Sequence, residues 1–172
     1  MKSSFRIEYL RVRNYRALQD FSIEGFSPLT ALIGPNGSGK STVLDVFAFV
    51  SECFSFGLPA ACENRGGLDE LKTRGKKDPI IIELKYRELP LIPMLTYHLA
   101  VDGEEMPYVQ EEFLEWQPDS AETPCRFMDF RKGKARVISG EFPDTRDTAI
   151  EERLDNEYML AASAFGQFAR YP

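Results

Sequence analysis

A chain of 172 residues, 43% hydrophobic and 28% charged, holds enough apolar material for one folded domain with a small appended unit. Its net charge of −6 excludes a surface coated with cations for nucleic acid. The charge is uneven: residues 1–86 carry 12 Lys and Arg against 10 Asp and Glu, and residues 87–172 carry 9 against 17, so an anion site belongs in the first half.

"FRIEYLRVR" (5–13) alternates apolar and polar side chains, as a half-buried strand does, and "ALQDFSI" (17–23) reads as a second strand closed by the turn "EGFSP". "LTALI" (29–33) is a short apolar run ending in glycine and predicts a buried central strand. A helix is expected from Lys40 to about Phe54, with Val43, Leu44, Phe47, Val50 and Phe54 on its apolar face. Asp45 and Glu52 break this most apolar stretch, so it reads as a core helix and no membrane partner is expected. The charges threaded through "MKSSFRIEYLRVRNYR" do not read as a secretory leader. Cys53, Cys62 and Cys125 form no Cys-x-x-Cys pair and fit structural thiols in a reducing, cytoplasmic compartment.

After "GLPA", residues 63–79 are polar and glycine-rich, with a short helix around Leu68–Lys72. From residue 80 the pattern turns to strands: "IIIELKYRE", "MLTYHLAVDG", "YVQEEFLEW" and "CRFMDFRKGKARVIS", the last folding back at Gly133. These segments predict an antiparallel sheet. Past "EFPDTRD" a final helical segment is expected, ending at "GQFARYP".

Gly34-Pro35-Asn36-Gly37-Ser38-Gly39-Lys40-Ser41 matches G-x-x-x-x-G-K-[ST], the P-loop. A polyphosphate needs many donors converging at short range. Gly34, Gly37 and Gly39 let the backbone wrap inward so that consecutive N–H groups form an anion nest, with Asn36 and Ser38 between them. The helix behind adds its N-terminal dipole. Lys40 is expected on the β- and γ-phosphates, Ser41 on Mg²⁺ through its hydroxyl, and Thr42 near the α-phosphate. A nucleoside triphosphate with Mg²⁺ is therefore the expected ligand.

"LRVRNYRALQDFSIEGFSPLTALIGPNGSGKSTVLDVFAFV" (10–50) resembles the start of ABC-type ATPases of the SMC/RecF branch. There a strand ends in an Asn-aromatic-Arg cluster, here Asn14-Tyr15-Arg16, and a second strand precedes the P-loop strand. The closing "LAASAFGQFARYP" resembles a group of stand-alone bacterial ATPases of that branch. The resemblance implies that Arg16 contacts nucleotide phosphate or lies near adenine. Read without it, Arg11, Arg13 and Arg16 form a solvated strand edge. It implies an α/β fold, the first lobe of an ABC/SMC-like P-loop head with an antiparallel β subdomain, and two heads sandwiching ATP as a homodimer. It leaves DNA open as a partner, which the residues themselves do not show.

Family parts needed for hydrolysis have only echoes. "PIIIEL" lacks the aspartate that precedes the catalytic glutamate in a Walker B strand, so Glu83 reads as a plain strand residue. Ser139-Gly140-Glu141 imitates a signature loop but reads as a hairpin end, and His98 reads as structural. No glutamine lies between Gln19 and Gln110 to serve a Q-loop.

The expectation is a nucleotide-binding lobe over 1–62, a connection over 63–79, a β subdomain over 80–142 and a helical segment over 143–172 leading to an absent second lobe. Hydrolysis is expected only in a longer, dimerised ATPase, and this chain alone is expected to be inactive, with no catalytic residue identified. The alternative is a non-hydrolytic, nucleotide-gated dimerisation or interaction module. A P-loop kinase is disfavoured by the two strands before the P-loop.

Overall fold

The computed structural model describes residues 4–89, 94–104, 106–116, 124–131 and 134–137. Among the described residues seven strands form one antiparallel sheet: β1 (Ser4–Tyr15), β2 (Leu18–Glu24), β3 (Ile80–Leu89), β4 (Leu95–Asp102), β5 (Tyr108–Trp116), β6 (Cys125–Arg131) and β7 (Lys134–Val137). Their spatial order is β2-β1-β3-β4-β5-β6-β7. Both early strands and the predicted antiparallel run are present, and they join edge to edge across the 63–79 connection. The final helical segment expected over 143–172 and the Ser139-Gly140-Glu141 echo lie outside the described residues.

Alternation selects the faces. On β1, Leu10 and Val12 are fully buried while Arg11 and Arg13 are exposed. Ile80 and Ile82 of β3, Tyr97, Leu99 and Val101 of β4, Val109 of β5, and Met128 and Phe130 of β6 continue the buried layer. Across it pack α1 (Lys40–Phe56), α2 (Leu58–Glu63) and α3 (Leu68–Leu71). Phe49 of α1 meets Tyr15 at 5.7 Å between ring centroids, and Phe54 meets Tyr97 at 5.4 Å. Removing a fully buried phenylalanine such as Phe49 costs about 3–5 kcal/mol, so this contact anchors α1. A carboxylate enters the layer: Glu112 is fully buried and accepts from the Tyr97 hydroxyl at 2.7 Å.

Two expectations need correction. The face of α1 turned to the sheet is Val43, Val46, Phe49, Val50 and Cys53; Leu44 is exposed, and Phe47 and Phe54 are only partly covered. The helix contacts the sheet along one side, which rotates the buried stripe away from Leu44. Nor is 29–33 a strand: Leu29 is 88% and Ile33 94% exposed. The Ser27 hydroxyl donates to Leu29 O at 2.5 Å, and Ser27 N donates to Thr30 Oγ1 at 3.0 Å, folding the entry to this segment into a turn. An apolar run becomes a strand only beside another strand, and among the described residues none lies alongside it.

The helix α2 is an addition that the sequence reading lacked. Gly57 before it and Pro59 in its first turn look like loop residues, yet Pro at the start of a helix costs no hydrogen bond.

Candidate nucleotide-binding site

The loop 34–39 runs from the exposed 29–33 segment into the first turn of α1. Gly34, Asn36, Gly37 and Ser38 are exposed, and Gly39 is buried at the helix entrance. Gly37 and Gly39 have φ of 81° and 90°, backbone that favours glycine. At Gly39 a Cβ would also stand 3.0 Å from Leu18 Cδ2, so the loop presses against the start of β2. Ser41 and Thr42 occupy the first turn of α1, Ser41 exposed and Thr42 partly covered.

Lys40 opens the helix and folds back over the loop, its Nζ donating to Gly34 O at 2.8 Å and Pro35 O at 2.7 Å. The α1 N-terminus has no side-chain cap and no acidic residue in its first turn. Its unpaired N–H groups and positive dipole end are thus left uncompensated, which is the electrostatics that suits a polyanion. The residues present therefore fit a Mg²⁺-bound nucleotide triphosphate.

Arg16 sits where β1 turns into β2. The register closes Tyr15 onto Leu18, so Arg16 and Ala17 are the whole connection. Arg16 takes φ 48° at the first turn position, one that two-residue hairpins usually give to glycine, and Asn14 takes φ 59°. Several contacts hold this backbone: Arg16 N donates to Leu71 O at 2.7 Å, Thr73 N to Asn14 Oδ1 at 3.2 Å, and Asn14 Nδ2 to Asp78 O. Strained backbone persists only where its surroundings over-determine it, and such positions cluster at functional sites.

The Arg16 guanidinium pairs with Asp45, Nη1 to Oδ2 at 2.9 Å. Asp45 also accepts from the Tyr15 hydroxyl at 2.7 Å and from Arg65 Nε at 3.0 Å. Arg65, with its side chain only 7% exposed, forks onto Glu52 at 2.7 and 2.9 Å, donates to Ala61 O and lies over the Phe49 ring. Hydrogen bonds from Arg65 and Asn64 pull the Glu52 carboxyl down to about 2. Burial, then the bond to Asp45, pushes the Tyr15 hydroxyl far above the usual tyrosine range. The sequence reading named Tyr15 only as part of the Asn-aromatic-Arg cluster and Asp45 only as a break in the apolar helix, and it gave Arg65 no role. The spacing of Asp45, four residues after Ser41, was the available signal, since it puts both on one face of α1. Arg65 offered none.

Arg16 is thus not part of a plain solvated edge. Arg11 and Arg13 are: both are exposed and pair with Asp20, at 3.2 and 3.7 Å. Arg16 also lines a polar cavity of about 430 Å³ together with Lys72, Arg74 and Lys76 and the carboxylates Asp69 and Glu70. Glu83 lies on β3 facing away from the helices, beside Lys85 at 3.9 Å. His98, on the same outer face, stacks on Phe113 at 4.5 Å, and burial lowers its pKa. Gln110 is a β5 residue bordering another cavity. Among the described residues no group of three or more His, Cys, Asp or Glu is arranged to hold a metal, and no helix is long and apolar enough to cross a membrane.

The chain is 47% identical over 38 residues to the OLD nuclease of Thermus scotoductus, covering 22% of the chain and 7% of that protein. It is 36% identical over 44 residues to the chromosome partition protein Smc of Methanocaldococcus jannaschii, covering 26% and 4%. It is 26% identical over 91 residues to the DNA repair protein rad50 of Schizosaccharomyces pombe, covering 52% and 7%. The chain therefore spans less than a tenth of the length of each of these relatives. The AAA ATPase domain family matches residues 6–163, nearly the whole chain. This chain belongs to the AAA ATPase domain family and is akin to the SMC/RecF-like, ABC-type P-loop ATPases.

Proposed function

We propose that this chain binds Mg·ATP at Gly34–Thr42 as the first lobe of a longer SMC/RecF-like ATPase. The observation that carries the reading is Lys40, whose ammonium lies across the glycine loop at the mouth of an uncapped helix. A triphosphate arriving there replaces two neutral carbonyls with anionic oxygens as the partners of that ammonium, a stronger charge-assisted pairing. Ser41, the exposed hydroxyl of the first turn, holds the magnesium ion. The metal neutralises phosphate charge, and this chain's residues bind and orient the nucleotide.

Hydrolysis belongs to the complete protein, where a second lobe and a second head, forming a homodimer around two nucleotides, complete the site. The apolar side chains of Leu29, Ile33 and Leu44, all exposed here, support a further lobe on this side of α1. The division into a nucleotide lobe and a β subdomain, joined by 63–79, is part of the same reading. Three relatives named for nuclease action, chromosome partition and DNA repair support coupling of the cycle to work on DNA.

The test is equilibrium binding of ATP with and without Mg²⁺, beside Lys40→Ala, together with turnover. Wild type is expected to bind, Lys40→Ala to lose at least about tenfold in affinity, and neither to turn ATP over. Equal binding by wild type and Lys40→Ala overturns the reading. Turnover by this chain alone overturns the assignment of hydrolysis to the complete protein.

A further inference from the structure

We infer that Asp45 is the positioning residue that holds Arg16 for nucleotide phosphate, an inference that rests on the loop 34–42 being the ATP site. Three observations converge on it. The first is place. The Arg16-Ala17 turn leads into Leu18, which lies against Gly39, and Asp45 follows Ser41 by four residues, about 6 Å along the helix axis. Arg16 is therefore tethered about one helical turn from the phosphate-binding residues.

The second is how the carboxylate is held. Oδ1 takes Arg65 Nε, and Oδ2 takes both the Tyr15 hydroxyl and Arg16 Nη1. The work of the carboxylate is to fix the groups that donate to it. Arg65 is itself locked by Glu52 and Ala61 O, so Asp45 cannot swing towards Arg16; Arg16 is the member that is oriented.

The third is what remains free. Arg16 spends one guanidinium nitrogen on Asp45 and keeps its side chain 36% exposed, whereas Arg65 is 7% exposed and forked onto carboxylates. The guanidinium also lies over the Tyr15 ring, 6.0 Å from its centroid, and among the described residues no hydrogen bond or ion pair engages its Nε or Nη2, which leaves those donors for an anion. A planar guanidinium fixed at one nitrogen presents the others in a set direction, the geometry phosphate recognition uses. The positive φ of Arg16 then has a reason: it aims the side chain back towards α1.

The experiment measures dissociation constants of Mg·ATP and of inorganic tripolyphosphate for wild type, Arg16→Ala, Asp45→Asn and the double variant, with Lys40→Ala as the loop control. Thermal melts check folding. Arg16→Ala and Asp45→Asn are each expected to weaken both ligands about tenfold, and the double variant no more than either, because one interaction is lost twice. A merely structural Asp45 lowers the melting temperature and adds its effect to that of Arg16→Ala, which overturns the inference. An unchanged constant in Arg16→Ala, or in a folded Asp45→Asn, overturns it as well. Should Asp45→Asn not fold, Asp45→Glu replaces it, keeping the charge but moving it by one methylene, with the same expected loss and the same non-additivity. If wild type and Lys40→Ala bind alike, the nucleotide reading of the loop has failed and this inference falls with it. Loss in Lys40→Ala with no loss in Arg16→Ala removes this inference alone.

Discussion

Single residues at this site are set by their partners more than by their type. Lys40, Gly37 and Gly39 were legible because a phosphate loop constrains sequence at fixed spacing. Asp45 and Arg65 were not, because their meaning is a contact between segments that sequence spacing does not bring together. Glu52 shows what such contacts do to titration. Its pKa is drawn from the ordinary 4.5 to about 2 by Arg65, then by Asn64. A folded-state pKa below the unfolded one contributes stability that is fully present above about pH 4.5 and is lost as pH falls towards 2. The melting temperature of wild type is therefore expected to fall more steeply between pH 4.5 and 2 than that of Glu52→Gln. Parallel curves for the two proteins would mean that the Arg65 fork carries no pH-dependent stability.

Among elements, periodicity found β1, β3 and β4 because alternate side chains, Leu10 and Val12, Ile80 and Ile82, and Tyr97, Leu99 and Val101, are buried against the helices. It placed α1 within two residues of its observed end but chose the wrong stripe, counting Leu44 as core where the sheet covers Val46, Phe49 and Cys53. The run 29–33 failed for a related reason: apolarity reports a wish for burial, and burial needs a partner that the run itself does not encode. Between α1 and α2 the chain turns on Gly57, at φ 89° and ψ 160°, a region essentially reserved for glycine. Its N–H still caps α1 by donating to Cys53 O at 3.1 Å. Gly57→Ala is expected to cost about 1–3 kcal/mol in a urea unfolding curve with its slope unchanged. A loss within measurement error would show that the helix junction relaxes into ordinary backbone.

At the scale of the molecule, the described sheet carries α1, α2 and α3 on one face over an apolar layer, while the far side of α1 carries Leu44 in the open and the P-loop is preceded by Leu29 and Ile33, also in the open. Side chains this exposed contribute little to the fold and much to adhesion. Replacing Leu29, Ile33 and Leu44 together by serine is expected to lower binding of an apolar fluorescent dye and to reduce self-association in light scattering. The unfolding free energy should stay within about 1 kcal/mol of wild type. A large loss of stability would place these side chains in the core instead.

The order of the sheet also has a consequence in time. From β3 to β7 each strand lies beside its chain neighbour, so pairing there needs only short loops. The β1–β3 seam is different: Asn14 reaches Asp78 across 64 positions of chain. Closing that span costs entropy before any contact returns it, and such long-range closures slow folding. The meander can therefore zip first, with β1 arriving late. Every residue of the phosphate loop lies inside the span, and so does the Asp45 carboxylate that meets Arg16. A polyphosphate bound there, by favouring the folded state, is therefore expected to hold that long-range seam closed as well.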